Sequence, residues 1–349
     1  MKPHAVLKLA KYFVVQDSNV VKLNQNESPY DIPLVLKRKI LKRLAAAQWN
    51  RYPKQKPAAL LEAISKYVGV RPDNVVIGNS SNEMIQAIIQ AVCIRGDKLV
   101  TVSPGFAIYP RVGRIMGLKV QEVELGQNFE FNTEKIINAA QDTQLVMIAS
   151  PNSPTGTVFE ISEIELLLKK TKCLVAIDEA YYEFYRKTAL KFLGKYKNLI
   201  IIRTLSKAFS LAGARLGYMI ARPDIAEAVE SVKLPFSVGY FAQAAGLEVL
   251  GNDSYVRASV SRVTGERKRV FSELMKFGCI KPIPSKTNFI LFEIKGKKAR
   301  NVFDTLYKKG VLVRPYDSAR LKNYLRVTMG KRRENDIFLK TLKSEMEES

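Results

Sequence analysis

The sequence contains one histidine, His4, in 349 residues. A Ser-His-Asp triad or a Cys-His pair would have to include this residue, and a metal site with several histidine ligands cannot be built. If the chain is an enzyme, its general base is therefore expected to be a lysine, a tyrosine or a carboxylate.

Cysteines and long apolar runs are also scarce. Cys93, Cys173 and Cys279 are an odd number and lie in apolar neighbourhoods, so we expect reduced thiols in the core. No apolar run approaches the roughly 20 residues of a membrane span. Lys8 and Lys11 interrupt the apolar stretch that a signal peptide would need. These features together predict a cytoplasmic protein without a membrane span.

Acidic residues are few relative to basic ones, 33 against 56, which gives a formal net charge of +23. Such an excess attracts either nucleic acid or small anionic substrates. The lysines are spread along the chain, as in "KRKILKRL", "LLLKKTK" and "EIKGKKARN", and there is no zinc-finger spacing or RNA-binding aromatic motif. Diffuse surface charge is the favoured explanation. A nucleic-acid-binding protein, whose affinity would fall steeply with salt, stays an alternative.

Short apolar runs alternate with amphipathic stretches of helical length. The runs are "NVVIG" (74–78), "KLVTVS" (98–103), "LVMIAS" (145–150), "CLVAID" (173–178), "NLIIIR" (198–203) and "LGYMIA" (216–221). Continuous Val- and Ile-rich strands joined by helices predict an α/β fold with a mostly parallel sheet covered on both faces.

The pattern changes after a long helical stretch that extends from Asp224 to about Phe277. Beyond it, "SKTNFILFEI", "GVLVRPY" and "YLRVTMG" are typical of strands, and "ARNVFDTLYKK" and "ENDIFLKTLKSEME" of helices. We therefore predict an N-terminal arm (1–30), a large domain (31–250) and a smaller C-terminal α/β domain (251–349).

Polar, aromatic and ionisable residues follow the apolar runs. In an open parallel sheet, ligands bind beyond the carboxyl ends of the strands. Each residue alone has a structural explanation, such as a helix cap, a turn, a core ring or a surface lysine. Taken together they predict a site, and they are Ser81, Asn82, Phe106, Asn152, Ser153, Asp178, Tyr181, Ser206, Lys207 and Arg215.

Seven motifs occur in one order along nearly the whole chain: "LNQNESP", "RYP", "SPNSPTG", "DEAYYEF", "TLSKAFSLAGARLGY", "VRP" and "LRVTMG". In order and spacing the chain resembles the fold-type I pyridoxal-phosphate-dependent aminotransferases, and among them the histidinol-phosphate aminotransferase family. The resemblance implies a large cofactor-binding domain, a small domain, and a homodimer with shared active sites.

The resemblance also implies a role for each site residue. Lys207 would bond the cofactor and move the substrate's α-proton, which requires a lowered pKa. Asp178 would hold the proton of the cofactor's ring nitrogen, Tyr181 would hydrogen bond the ring 3′-oxygen, and Phe106 would stack on the ring. The phosphate would be bound by Thr204, Ser206, Arg215, the N–H groups around Ser81 and Asn82, and Tyr52 of the partner subunit. Substrate would be bound by Tyr12, Asn24, Arg314 and Arg326.

Three departures from the family pattern qualify these roles. Ser80-Ser81-Asn82-Glu83 stands where the family usually has Gly-(Ser/Ala)-Asp-Glu. Ser153 replaces the asparagine usual before "PTG", so either Asn152 or Ser153 is left to contact the 3′-oxygen. The arm keeps Tyr12 but lacks the Pro-Tyr-x-Pro-Gly that usually surrounds this aromatic.

The resemblance predicts transamination between L-histidinol phosphate and 2-oxoglutarate, giving imidazole-acetol phosphate and glutamate, a step of histidine biosynthesis. An L-threonine-O-3-phosphate decarboxylase and an aromatic amino acid aminotransferase share nearly all the cofactor residues and stay open. A Ser206-Lys207 hydrolase dyad is a further alternative, but it leaves Asp178, Tyr181 and Arg215 unexplained.

Overall fold

The structure, a computed structural model, describes residues 15–17 and 19–347. Its strands are β1 (Val21–Lys22), β2 (Val75–Asn79), β3 (Lys98–Ser103), β4 (Lys119–Glu124), β5 (Leu145–Ala149), β6 (Leu174–Asp178), β7 (Leu199–Thr204), β8 (Leu216–Ile220), β9 (Ile280–Pro282), β10 (Phe289–Ile294), β11 (Val311–Leu312), β12 (Arg314–Pro315) and β13 (Tyr324–Thr328). Its α-helices are α1 (Leu34–Ala45), α2 (Ala58–Val68), α3 (Ser80–Val92), α4 (Ile108–Ile115), α5 (Thr133–Ala139), α6 (Ile161–Lys170), α7 (Tyr182–Tyr185), α8 (Pro223–Val232), α9 (Tyr240–Leu250), α10 (Ser254–Leu274), α11 (Ala299–Lys308) and α12 (Arg332–Glu347).

The large sheet has the strand order β2-β8-β7-β6-β5-β3-β4, and only β8 runs antiparallel to its neighbours. Successive side chains of a strand enter opposite faces. In β5, Val146 and Ile148 join one apolar cluster, whereas Leu145 and Met147 join a second cluster. Burial on both faces explains the continuous apolar runs, and the predicted mostly parallel α/β sheet is confirmed.

All six apolar runs form strands within about one residue of the predicted bounds. Edge strand β4 was not predicted. Its side chains are mostly exposed or partly exposed, with only Val123 buried, so its sequence "KVQEVE" lacks a continuous apolar run. The predicted helical stretch after Asp224 is interrupted twice and forms the three helices α8, α9 and α10.

A second, four-stranded antiparallel sheet, in the order β12-β13-β10-β9, lies in the C-terminal part of the chain. Strand β1 pairs in parallel with β11, so Val21 and Lys22 are joined to this C-terminal part. All strands of the seven-stranded sheet precede residue 250 in the sequence, and all strands of the four-stranded sheet follow it. The division of the chain into an arm and two domains stays a prediction.

Two expectations from composition can be compared with the structure. Cys93 and Cys173 are buried, Cys279 packs at the border of the core, and all three are free thiols. Among the helices of the described residues, none combines the length and the apolar character that crossing a membrane requires.

Candidate active site

A cavity of about 280 Å³ lies beyond the carboxyl ends of β5, β6 and β7 and reaches the C-terminal sheet. Most residues predicted from the sequence line it: Asn24, Ser81, Asn82, Phe106, Ser153, Asp178, Tyr181, Thr204, Ser206, Lys207, Arg215, Arg314 and Arg326. A second cavity, of about 370 Å³, lies between α2, α8 and edge strand β2 and contains none of these residues. The chemistry therefore concentrates in the first cavity.

Lys207 follows the end of β7 and is partly buried, and its Nζ donates a 3.0 Å hydrogen bond to the backbone oxygen of Gln25. Removal from water lowers the pKa of Lys207 to about 8, and the positive charges of Arg326 and Arg215 lower it as well. Glu27 acts in the opposite direction. A sizeable fraction of Lys207 is thus neutral near pH 8 and available as a nucleophile or base.

Asp178 is the last residue of β6, and its carboxylate is buried. It accepts hydrogen bonds from the Tyr109 hydroxyl at 2.7 Å and from the Ala180 backbone N–H at 3.0 Å. Burial raises the pKa of Asp178 to about 6, and these two hydrogen bonds act against that rise. At neutral pH the site therefore contains a carboxylate for which a protonated ring nitrogen would be a favourable partner.

The sequence interpretation missed Tyr109. It lies three residues after Phe106, and the two rings meet edge to face with centroids 5.4 Å apart. A tyrosine one helical turn from a predicted stacking ring was the available signal, but its contact with Asp178 spans 69 residues.

Tyr109→Phe is expected to move the acidic limb of the pH–activity profile upward by about one pH unit, since a hydrogen bond to a charged group contributes about 1.5 kcal/mol. The substitution removes a contact that holds the pKa of Asp178 down. The carboxyl then stays protonated to a higher pH and holds a ring proton less well. Activity measured from pH 5 to 9 tests this, and an unshifted acidic limb would contradict the assigned contact.

The neighbouring Glu179 faces a different environment. It is buried and accepts two hydrogen bonds from Arg203, at 3.0 and 2.8 Å, and the Arg203 guanidinium lies 3.8 Å from the ring centroid of Tyr182. Breaking such a buried pair usually costs about 3–5 kcal/mol. The two adjacent acidic residues therefore have different roles. Glu179 holds the loop after β6 in place, whereas Asp178 lines the cavity.

Tyr181 lies beside Asp178, and its hydroxyl accepts a 2.8 Å hydrogen bond from Asn26 Nδ2. Burial raises the pKa of Tyr181, whereas the charge of Arg326 and hydrogen bonds with Asn26 and Ser153 lower it. Asn26 was not among the predicted site residues. Its place in the "LNQNESP" motif was the only signal in the sequence.

The two residues of the turn "SPNSPTG" that are candidates for the 3′-oxygen contact have different surroundings. Ser153 lines the cavity, and its Oγ accepts a 3.3 Å hydrogen bond from Arg326 Nη1. Asn152 is fully buried away from the cavity lining, and its Nδ2 donates to Pro104 O and Thr155 Oγ1, both at 2.9 Å. Asn152 therefore holds the turn, and Ser153 is the one placed to contact a ligand.

One end of the cavity is suited to an anion. The N-terminus of α3 brings Ser81 and Asn82 there, where helix N–H groups favour negative charge. From the other side, Arg215 Nη1 donates to Ser206 Oγ at 3.4 Å, and the Ser206 N–H donates to Thr204 Oγ1 at 3.1 Å. By their chemistry these groups suit a phosphate, and we call them the phosphate cup.

The packing at this end is close. A Cβ on Gly217 would lie 2.3 Å from the backbone nitrogen of Ser81, so only glycine lets β8 approach the start of α3. Ser80 has a φ of 69°, at the position where the resemblance expects glycine. The left-handed region costs a serine roughly 1–2 kcal/mol, and Ser80 N donates to the backbone oxygen of Arg215 at 3.0 Å.

Arg314 and Arg326 face each other in register on β12 and β13, at the side of the cavity formed by the C-terminal sheet. Arg326 is buried, and its Nη2 donates to the backbone oxygen of Asn24 at 2.8 Å. Within residues 15–17 and 19–347, its Nε makes no hydrogen bond and it has no carboxylate partner. A buried guanidinium in this state favours an anionic ligand.

Tyr52, like Asn152, is not part of the cavity lining. Tyr52 is 79% exposed, and its ring stacks on Phe236 with centroids 4.7 Å apart. Tyr12 lies outside the described residues. Any contact of Tyr52 with a cofactor would have to be made in another subunit.

Comparison with known proteins agrees with this geometry. The model of the family described as "Aminotransferase class I and II" matches residues 18–342. The histidinol-phosphate aminotransferase of Thermococcus kodakarensis is 39% identical over 331 residues, which cover 95% of this chain and 94% of the relative. The crystal structure of the histidinol-phosphate aminotransferase from Clostridium acetobutylicum aligns with a TM-score of 0.88 and 26% identity, over 94% of this chain and 99% of that one. The Sinorhizobium meliloti histidinol-phosphate aminotransferase, solved in complex with pyridoxal-5′-phosphate, shares the fold with a TM-score of 0.91 and 23% identity, over 99% and 98% of the two chains.

Proposed function

The chain belongs to the aminotransferase class I and II family, and we propose that it transfers the amino group of L-histidinol phosphate to 2-oxoglutarate. It is a pyridoxal-phosphate-dependent enzyme, as the family is. The substrate proposal is supported by relatives named histidinol-phosphate aminotransferase that align along almost the whole chain.

The donor set of the cavity fits pyridoxal phosphate. Lys207 has a lowered pKa and can bond an aldehyde carbon, and Asp178 is a buried carboxylate suited to a protonated ring nitrogen. Phe106 lines the same cavity and offers an aromatic face to a ring. The helix α3 N-terminus with Arg215 suits a phosphate. These assignments are proposals from chemistry and placement.

When bound, pyridoxal phosphate supplies an electron sink for the charge left on the substrate's α-carbon. Lys207 would remove the proton from that carbon as a base and later donate it, as an acid, to the former aldehyde carbon, because its lowered pKa lets it act in both roles near neutral pH. Asp178 would hold a proton on the ring nitrogen by its negative charge. Tyr181 would donate a hydrogen bond to the 3′-oxygen.

The observation that carries the substrate proposal is that Arg314 and Arg326 are register partners on β12 and β13 and both line the cavity. An aminotransferase holds two acids in turn at one place. Histidinol phosphate brings a phosphate and no carboxylate, whereas 2-oxoglutarate brings two carboxylates. The planar fork of Arg326 bonds either oxyanion, and Arg314 stands beside it.

Arg326→Ala is expected to slow both half-reactions by about 30-fold or more, because leaving a buried oxyanion unpaired costs about 2–5 kcal/mol. Single-turnover absorbance measurements with histidinol phosphate and with 2-oxoglutarate test this. Arg320→Ala is the matched control, since Arg320 is exposed and bonds the backbone of Gly126. Equal effects of the two substitutions would contradict the role of Arg326.

The same assay on the unaltered enzyme separates the alternatives. Histidinol phosphate is expected to react faster than phenylalanine or threonine phosphate. Faster conversion with phenylalanine would establish the aromatic aminotransferase instead. Release of carbon dioxide from threonine phosphate would establish the decarboxylase.

We also propose that the chain works as a homodimer. Large apolar side chains are exposed on α1, on the loop before α2 and around the start of α9: Leu34, Val35, Leu41, Trp49, Tyr52, Leu234, Phe236 and Phe241. Tyr52 stacks on Phe236, and α1 packs against α9. Exposed apolar side chains on elements that adjoin one another favour an interaction site. A second copy covering it would bring Tyr52 toward its partner's phosphate cup.

Mixing Tyr52→Ala and Lys207→Ala chains, each nearly inactive alone, is expected to restore about a quarter of the wild-type activity, because half of the randomly mixed dimers are hybrids with one intact site each. Subunit exchange is verified with differently tagged chains. Proven exchange without recovered activity would show that Tyr52 does not act across the interface.

A cytoplasmic location is part of the proposal. The three cysteines are free thiols, two of them buried in the core. Reduced thiols are typical of the cytoplasm.

A further inference from the structure

Asn26 joins three distant parts of the chain. It is buried, and its Nδ2 donates to the Tyr181 hydroxyl at 2.8 Å. Its backbone N–H donates to Thr328 Oγ1 at 2.9 Å, and Thr328 Oγ1 bonds Asn26 Oδ1 at 3.1 Å. Asn288 Nδ2 donates to its backbone oxygen at 3.0 Å. Both the main chain and the side chain of Asn26 are therefore held in place.

These contacts form one consistent set of hydrogen bonds. The Thr328 hydroxyl accepts the backbone proton of Asn26 and donates its own proton to Asn26 Oδ1. Oδ1 is thereby identified as the acceptor end of the amide, which turns the Nδ2 donor toward Tyr181. The Tyr181 oxygen accepts that proton, and its own proton must point elsewhere.

The remaining direction for that proton is the cavity side of the hydroxyl, where Ser153, the second hydrogen-bond partner of Tyr181, lines the cavity together with Asp178 and Lys207. We propose that Asn26 is a positioning residue that aims the Tyr181 hydroxyl proton into the cavity, with Thr328 setting the orientation of the Asn26 amide. The inference rests on the proposed function, because the acceptor it serves in the cavity is the cofactor's 3′-oxygen.

The backbone supports the same role. Asn26 has a φ of 55°, in the left-handed region that asparagine and aspartate adopt more readily than most residues. The preceding residue, Gln25, accepts the hydrogen bond from Lys207 Nζ at 3.0 Å. One short segment thus contacts both Lys207 and Tyr181, and Thr328 connects that segment to β13 of the C-terminal sheet.

The test is Asn26→Asp in the holoenzyme, followed by a pH titration of the visible absorption of the cofactor bound to Lys207. The size and the left-handed backbone are kept, but the introduced carboxylate accepts the Tyr181 proton in place of the cofactor. A hydrogen bond donated to the 3′-oxygen stabilises the deprotonated form of the chromophore. Its loss is expected to raise the titration midpoint by about one pH unit.

A double-substitution cycle separates this effect from the charge of the new carboxylate. In a Tyr181→Phe background, Asn26→Asp is expected to move the midpoint by a smaller amount, the effect of the new charge alone, because the part that acts through the Tyr181 hydroxyl is already lost. The charged groups around Lys207, namely Glu27, Asp178, Arg215 and Arg326, are the same in all variants. An equal shift in both backgrounds would overturn the inference.

Thr328 provides a second variant without any change of charge. Thr328→Val removes the hydroxyl that fixes the Asn26 amide and is expected to raise the midpoint by a smaller amount, whereas Thr328→Ser keeps the wild-type midpoint. A lower thermal midpoint with an unchanged titration would show a purely structural role and overturn the inference. A Tyr181→Phe enzyme with a wild-type titration would instead contradict the proposed role of Tyr181, and the inference with it.

Discussion

Replacing Lys207 by alanine is expected to lower turnover by about 10⁴-fold or more, about 5 kcal/mol of barrier, because loss of a general acid–base alone costs 10²- to 10⁴-fold. In the proposed function Lys207 is also the nucleophile that bonds the cofactor, so the two losses combine. Steady-state and single-turnover rates with histidinol phosphate measure the effect.

Lys207→Arg is the matched control. It keeps a positive charge near the position of Lys207 Nζ, but a guanidinium stays protonated and serves neither as base nor as nucleophile. Both variants are expected to be comparably inactive while keeping the phosphate cup of Ser206 and Arg215. An arginine variant with substantial turnover would mean that the charge, and not the chemistry, of Lys207 matters.

Asp178→Asn is expected to lower turnover by about 10²- to 10³-fold, about 3–4 kcal/mol, the usual effect of removing a buried electrostatic contact to a reacting group. The amide can still accept the hydrogen bond from Tyr109, but it has no charge to hold a proton on the ring nitrogen. Rates with each half-reaction's substrate measure the loss.

The fold is expected to survive Asp178→Asn. Because burial raises the pKa of Asp178 to about 6, the ionised carboxylate contributes unfavourably to the stability of the cofactor-free protein above that pH. The substitution removes this cost, so the thermal midpoint of the cofactor-free protein at pH 8 should be unchanged or higher. Asp178→Glu, which keeps the charge, should regain part of the activity. Near-wild-type turnover in Asp178→Asn would show that the ring proton is held in another way.

Much of the site could be predicted because its residues follow a local rule. Asp178 and Lys207 come directly after buried strands, and the carboxyl ends of parallel strands meet at one edge of the sheet. The order of strands is harder to predict. Strand β8 enters between β2 and β7 and runs antiparallel to both, which depends on packing between distant segments.

The contacts behind the site residues could not be predicted from local patterns. Tyr109 reaches Asp178 across 69 residues, and Asn26 reaches Tyr181 across 155. The choice between Asn152 and Ser153 depends on which side chain the turn directs inward, since both are polar and adjacent. Each of these contacts and side-chain directions becomes known only from the three-dimensional structure.

The position of Tyr52 marks another limit of the sequence. The motif predicts a phosphate contact, yet within one chain this ring is exposed and stacked on Phe236. In the proposed homodimer its role would depend on a second copy of the chain, and the motif alone does not reveal the exposed apolar residues that such a copy would cover.

The central claim is that Lys207 is the residue that bonds pyridoxal phosphate, and borohydride reduction followed by peptide mapping tests it most directly. The purified holoenzyme is reduced, digested and analysed by mass spectrometry, with the Lys207→Ala variant as control. We expect a single modified peptide, carrying the reduced cofactor on Lys207, and no modified peptide from the variant. Labelling of a different lysine, or none in the wild-type enzyme, would contradict the account.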